Sequence, residues 1–176
     1  MSDHLSERKF PIGPFRLEEQ YTSSELEHNI DVLGAIPAEY RQLVGSLSDA
    51  ELAKTYREAS WNVRQLVHHV ADIQYLHYFR MKKVLTEPDY KIQTLIDMNA
   101  WAMTPDSLTN PVSDSLQILD GVTARYVNLV RSLSEEQLAL SYFHPLRQIW
   151  FNQKQALAMS AWHVRHHLEH IRLALS

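Results

Sequence analysis

The stretch AWHVRHHLEHI places four histidines, His163, His166, His167 and His170, within eight positions. A second concentration, VHHVAD, holds His68 and His69, so six of the ten histidines in 176 residues fall in two short segments. Residues four apart on a helix sit one above the other, and His163 and His167 can therefore aim their imidazoles at one point. Neutral imidazole is the commonest metal ligand among side chains. Two such ligands from one helix and a third from another would leave a metal with open positions, the arrangement of a catalytic site rather than a closed structural one.

The third ligand has to point inward. At about 100° per residue, Leu66, Ile73 and Leu76 lie within about 60° of His69, and Arg80 shares the stripe. His68 falls on the stripe's margin beside Gln65 and Asp72. Taken alone, His69 reads more readily as a core histidine satisfied by a hydrogen bond. The later segment offers two pairs with the same spacing, His163–His167 and His166–His170. Small residues, Ala156, Ser160 and Ala174, flank the first pair and leave room for a metal and a substrate, whereas Trp162 and Leu173 accompany the second. The competing reading is a solvated histidine-rich helix end, whose charge would suit the C-terminal dipole. A histidine stripe beside small residues is an odd choice for solvation, and together with His69 it favours a metal site made of His69, His163 and His167.

No other route to catalysis competes. There is no phosphate-cradling glycine loop, no GxSxG and no HExxH, and without cysteine the chain supplies neither a thiol nucleophile nor a thiolate ligand. Asp72, three residues after His69, is a candidate to orient a ligand imidazole, or else to pair locally. Arg64 and Arg80 are candidates for anionic substrate groups, although surface pairing is the commoner fate of an arginine. Tyr56, Arg57 and His144 stand in segments preceding the histidine-bearing helices, near the expected mouth of the site, as candidate substrate contacts.

The elements that must position these groups read as helices. Four glycines and the lack of sustained alternation argue against an all-β fold. Helical spacing runs from about Ser24 to Ser46, where Pro37 marks a kink or a restart. SDAE at Ser48–Glu51 has the form of a capping box. A long helix is expected from Asn62 to about Leu85, with Gln65 completing the cap and Trp61 stapling onto Leu66. Residues 86–112, with Pro88, Pro105 and Pro111, form a long connection with one helical turn near Met98–Met103. A third long helix follows from about Ser113 to Leu133, then a short one at SEEQ. The last begins at Asn152, capped with Gln155 and stapled by Phe151 onto Ala156. SLSDAEL (Ser46–Leu52) recurs as SLSEEQL (Ser132–Leu138), each ahead of an Asn-capped helix that carries histidines. The echo reads either as a duplicated two-helix unit or as two uses of a good helix start. The expected fold is all-α: one domain over 1–176, a four-helix bundle with a long crossover connection between helices 2 and 3 and an extended N-terminal arm over 1–22.

A net charge of −4 without a long basic run gives no footprint for nucleic acid or an anionic membrane. No apolar stretch is long enough to span a bilayer. MSDHLSERKF lacks the apolar core of a signal peptide, which makes the cytoplasm the expected location.

WNVRQLVHHVAD (Trp61–Asp72) followed by AWHVRHHLEHI (Ala161–Ile171) resembles the DinB/YfiT superfamily of metal-binding four-helix bundles. The likeness is greatest to the YfiT branch of metal-dependent hydrolases, related to the bacillithiol S-transferases. It extends over nearly the whole chain, through PIG, YREASW, Arg80, Trp101 and FHP at Phe143–Pro145. The resemblance implies a three-histidine site whose ligands are His69, His163 and His167, the set the helical wheel favours. Val164, Arg165 and Glu169 depart from the HSHHHIAHI common in YfiT-like chains, at positions away from the metal-facing line. His170 would then be a packing residue or an outer partner of the ligands. The implied cofactor is a divalent metal, zinc or nickel. In a transferase the ion would hold a low-molecular-weight thiol, bacillithiol-like, as the nucleophilic thiolate. In a hydrolase it would lower the pKa of bound water to about 7 and generate hydroxide. A metal-binding stress-response module without catalysis is the third reading. The expected partners are a small-molecule electrophile and the thiol, with the chain as a homodimer.

Overall fold

The computed structural model describes residues 8–176. Four long helices form the body: α1 (Ser23–Val44), α3 (Val63–Thr86), α6 (Val112–Arg131) and α8 (Gln153–Leu175). Short helices α2 (Asp49–Leu52), α4 (Met98–Trp101), α5 (Pro105–Thr109) and α7 (Glu135–Ala139) lie in the connections, with a hairpin of β1 (Ser141–His144) and β2 (Ile149–Asn152) before α8. The fold is thus an all-α four-helix bundle with one small two-stranded ribbon.

Local chemistry sets the starts of these helices. Capping boxes open α2 (Ser48 with Glu51), α3 (Asn62 with Gln65), α7 (Ser134 with Gln137) and α8 (Asn152 with Gln155), each satisfying backbone donors that would otherwise lack partners. Thr22 and Glu25 do the same for α1. Phe151 and Ala156 share one buried cluster, as a staple requires.

Contacts along the helices give the topology. His68 meets Ser115 near the starts of α3 and α6, and the Tyr78 and Tyr126 rings meet further along both, so these neighbours run parallel. Gln74 meets Ser160 and His69 meets His163 and His167, so α3 and α8 run antiparallel. Arg41 with Asp120, and Arg131 with Glu27, make α1 and α6 antiparallel. Both α1 and α3 pack on α6 and on α8, which places α1 and α3 across the bundle's diagonal. Residues 87–111 carry the chain back along the bundle between the parallel α3 and α6, the long crossover anticipated from the prolines. The main core includes Leu33, Tyr40, Leu66, Leu119, Leu157 and Ile171, all at most 1% exposed. Tyr40 donates its hydroxyl to the Val164 carbonyl at 2.8 Å inside it.

Three expectations need correction. Pro37 does not restart a helix: α1 runs through it as one continuous element, with Leu33, Ile36, Tyr40 and Val44 buried on both sides of it. The long connection carries two short helices, not one turn. The segment before α8 is a hairpin in register Ser141↔Asn152 to His144↔Ile149, with Gln148 at φ 54° turning it. The internal echo has a structural counterpart, since each Asn cap is paired in an antiparallel bridge, Thr55↔Asn62 and Ser141↔Asn152, just before its long helix.

Of the expected N-terminal arm, residues 1–7 lie outside the described residues. Residues 10–22 run without regular structure along α8. Gly13 accepts from Trp162 Nε1 at 3.2 Å, and Glu18 accepts from Gln155 at 3.0 Å, both through backbone carbonyls.

Candidate metal centre

His69 lies two turns into α3, while His163 and His167 lie one turn apart on the facing α8. Each can offer a ring nitrogen, and the three atoms lie within 4.8 Å of one another. His69 Nε2 and His163 Nε2 are 3.1 Å apart. The rings meet edge to face, with centroids 4.6–5.1 Å apart. Trp61, the residue before the α3 cap, lays its ring 4.7 Å from His69 and 6.5 Å from His167.

Burial keeps these imidazoles neutral. It lowers His69 to about 4, and it holds His163 and His167 well below the ordinary value, with the neighbouring imidazoles adding to the effect. Neutral imidazole is the ligating form. Tetrahedral coordination at about 2.0–2.1 Å would space ligand nitrogens about 3.4 Å apart, close to the separation of the two Nε2 atoms. The donor set therefore fits a divalent ion.

A chain of hydrogen bonds behind the site determines which nitrogen His167 presents. The Lys9 carbonyl can only accept, so His170 Nε2, 3.2 Å away, carries the proton. Burial lowers His170 to about 4, so the ring is neutral at pH 7 and its Nδ1 is the acceptor. His167 Nδ1, at 3.3 Å from it, must then be the donor, leaving His167 Nε2 bare for a ligand. Tyr56 stacks on His170 at 3.9 Å and 14°, and Arg8 binds the Tyr56 carbonyl at 2.5 Å, so the arm and the loop before α3 hold the ring in place.

His166, His167 and His170 form a second group with ligand-like spacing. His166 is stacked on Trp162 at 4.4 Å and also faces Phe10, while His170 is engaged on both nitrogens. These two read as packing and orienting residues. His68, the first histidine of the HH pair, ties α3 to α6 through Ser115 Oγ (2.7 Å) and the Asn110 carbonyl (3.2 Å).

A cavity of about 140 Å³ opens beside the histidines, lined by His163, His77, Arg80, His144 and Arg147 together with apolar residues of α3, α8 and the crossover. No described Asp or Glu lines it. Arg80 and His144 are thus brought to the cavity. Arg64 is not: it pairs with exposed Asp49 at 2.5 Å and donates to the Asn110 carbonyl at 2.7 Å. Asp72 stands apart from both histidine groups, with its carboxyl raised to about 6 by burial and by Asp106. Sequence reasoning passed over His77. It lies eight residues after His69, about 80° round the helix and outside the stripe of about 60°, so no spacing marked it. Its ring centroid is 6.2 Å from that of His163, and its Nδ1 is buried without a partner.

A family model described as the DinB superfamily matches residues 33–171. This chain belongs to the DinB superfamily. Its relatives include a candidate metal-dependent hydrolase of Oceanobacillus iheyensis, 41% identical over 96% of this chain and 95% of that protein. The Bacillus subtilis candidate metal-dependent hydrolase YfiT is 35% identical over 92% and 90%. The solved structure of B. subtilis YfiT, described as having an unusual four-helix bundle topology, superposes with TM-score 0.90 at 33% identity over 94% of both chains. A mycothiol-dependent maleylpyruvate isomerase shares the fold, with TM-score 0.65 at 17% identity, over 83% of this chain and 60% of that one.

Proposed function

We propose that this chain is a metal-dependent S-transferase that joins a low-molecular-weight thiol to a small electrophile. His69, His163 and His167 would hold the divalent ion, zinc or nickel. When bound, such an ion supplies Lewis acidity at its open positions and lowers the pKa of a group placed there. The observation that carries the reading is the cavity beside His163, which has basic and apolar walls and no described carboxylate. No side chain there serves as an anionic general base toward water. A thiol, with an ordinary pKa near 8.5, needs far less help to lose its proton. The chain's own residues do the rest. Trp61 packs against His69, His170 keeps the proton of His167 on Nδ1, and the apolar walls desolvate the reactants.

Hydrolysis is the second reading, favoured by the names of the relatives. Assays with a chloro-dinitrobenzene and a set of low-molecular-weight thiols, bacillithiol among them, test the choice when run beside ester hydrolysis. The transferase reading expects thiol conjugation that chelator removes and that is lost in His69→Ala. Chelator-sensitive hydrolysis without conjugation would replace it with the second reading. A cytoplasmic location and a homodimeric state belong to the same proposal and are checked by fractionation and light scattering.

A further inference from the structure

Arg80 is 7% exposed, lines the cavity, and has no carboxylate partner among the described residues. The ionisable groups whose charge would favour its positive form are three tyrosines, Tyr142, Tyr90 and Tyr126, and none is a carboxylate. Its hydrogen bonds go to uncharged acceptors. Nε and one terminal nitrogen donate to the Thr94 carbonyl at 3.2 and 2.7 Å. With its carboxamide oxygen turned toward the guanidinium, Gln93 accepts at 3.2 and 3.0 Å. These bonds occupy four of the five guanidinium N–H groups, leaving one terminal N–H and the whole charge uncompensated. A buried cation without a counter-charge is costly, and an anion bound beside it would offset that cost. Helical side chains lean toward the helix N-terminus, so Arg80 leans toward His77 and the histidine end of the cavity. Arg147 adds a second positive group at the rim, and His77, whose buried Nδ1 has no partner, lines the same cavity.

We infer that Arg80 is the receptor for a carboxylate on one of the reactants, held at the far end of the cavity from the metal-binding histidines. A single free N–H matches a singly charged acceptor better than a phosphate, which asks for several donors. Arg80 follows His69 by eleven residues, roughly 16 Å along the helix axis, and the arginine's backward reach shortens that gap. The acid must therefore be carried on an apolar body several bonds from the reacting atom, which Ile73, Leu76 and Met159 would cover. This deepens the proposed function and rests on it for the placement of the reacting atom.

Two measurements test it separately from the metal. The first compares hexanoate with hexanamide on metal-free protein by calorimetry or ligand-observed NMR. Wild type should prefer the acid by about tenfold, the worth of one charge-assisted hydrogen bond. Arg80→Gln, which can still donate to Thr94, should erase the preference, and Arg80→Lys should restore part of it. Equal binding of acid and amide by wild type, or an undiminished preference in folded Arg80→Gln, overturns the inference. The second titrates cobalt-loaded protein with mercaptoalkanoates of increasing length and with their amides, following the cobalt spectrum. The acids should bind best at an intermediate length and lose that optimum in Arg80→Gln. Equal affinity of acids and amides at every length would separate this subsite from the metal's substrate and overturn that placement. Absence of any thiol signal alongside an intact hexanoate preference would count against the thiol reading and leave the carboxylate site standing.

Discussion

Replacing His170 by phenylalanine should weaken metal binding without unfolding the chain. His170 is 2% exposed, and its ring stacks on Tyr56, a contact that phenylalanine can keep. The change removes the acceptor for His167 Nδ1–H and the donor to the Lys9 carbonyl. In metal-free protein His167 can move its proton to Nε2 and avoid the loss. Once Nε2 is committed to an ion, the proton must remain on Nδ1, buried and without an acceptor. That costs about 1–3 kcal/mol, which corresponds to roughly 5- to 150-fold in affinity and spans the tenfold to hundredfold effect typical of lost outer partners. Competition with a chromophoric chelator at pH 7.5 measures it, and His170→Gln, whose carboxamide oxygen can accept, should recover part of the loss. Wild-type affinity in folded His170→Phe would refute the reasoning, as would imidazole ¹⁵N spectra showing the His167 proton on Nε2.

Metal-free protein should lose stability as pH falls from 6.5 toward 4. Burial lowers His69 and His170 to about 4 and His77 to about 3 in the folded state, against an ordinary 6.5 when unfolded. Below 6.5 the unfolded chain binds more protons, so each such group removes about 1.4 kcal/mol per pH unit through that window and nothing above it. Urea titrations from pH 4 to 8 should show this slope, and a flat profile would contradict the burial described. Arg64→Gln should cost about 1–2 kcal/mol, nearly all of it from the lost hydrogen bond to the Asn110 carbonyl, since its partner Asp49 is 93% exposed. The same variant should leave metal affinity untouched, and a large affinity loss in the chelator assay would return Arg64 to the site. Tyr40→Phe should cost about 0.5–1.5 kcal/mol in chemical denaturation, because it strips a donor from the buried Val164 carbonyl.

Much of this architecture is legible in the chain because short signals state it directly. Asn62 with Gln65 and Asn152 with Gln155 mark the starts of both histidine-bearing helices, and the same signals stand as capping boxes in the structure. The convergence of His69, His163 and His167 follows from one-turn spacing on one helix and an inward stripe on another. What could not be read depends on contacts distant in sequence. Pro37 looks like a break until the burial on either side of it is known. The hairpin at 141–152 is too short for its alternation to stand out, and the parallel bridge Ile92↔Phe143 joins it to the crossover from fifty residues away. His77 carries no motif, and only the cavity reveals it. Arg64 and Arg80 look alike as letters, but one meets Asp49 at the surface and the other no described carboxylate in the interior. His170 gains its role from a backbone carbonyl 161 residues earlier, which no local pattern can announce.

The central claim is that one divalent ion is held by His69, His163 and His167, and not by the overlapping group of His166, His167 and His170. Titration of metal-depleted protein with zinc or nickel, monitored by calorimetry on wild type, His69→Ala and His166→Ala, tests it most directly. The account predicts one ion per chain for wild type, the same stoichiometry for His166→Ala, and no specific binding for folded His69→Ala. Specific binding retained by His69→Ala and lost by His166→Ala would contradict it.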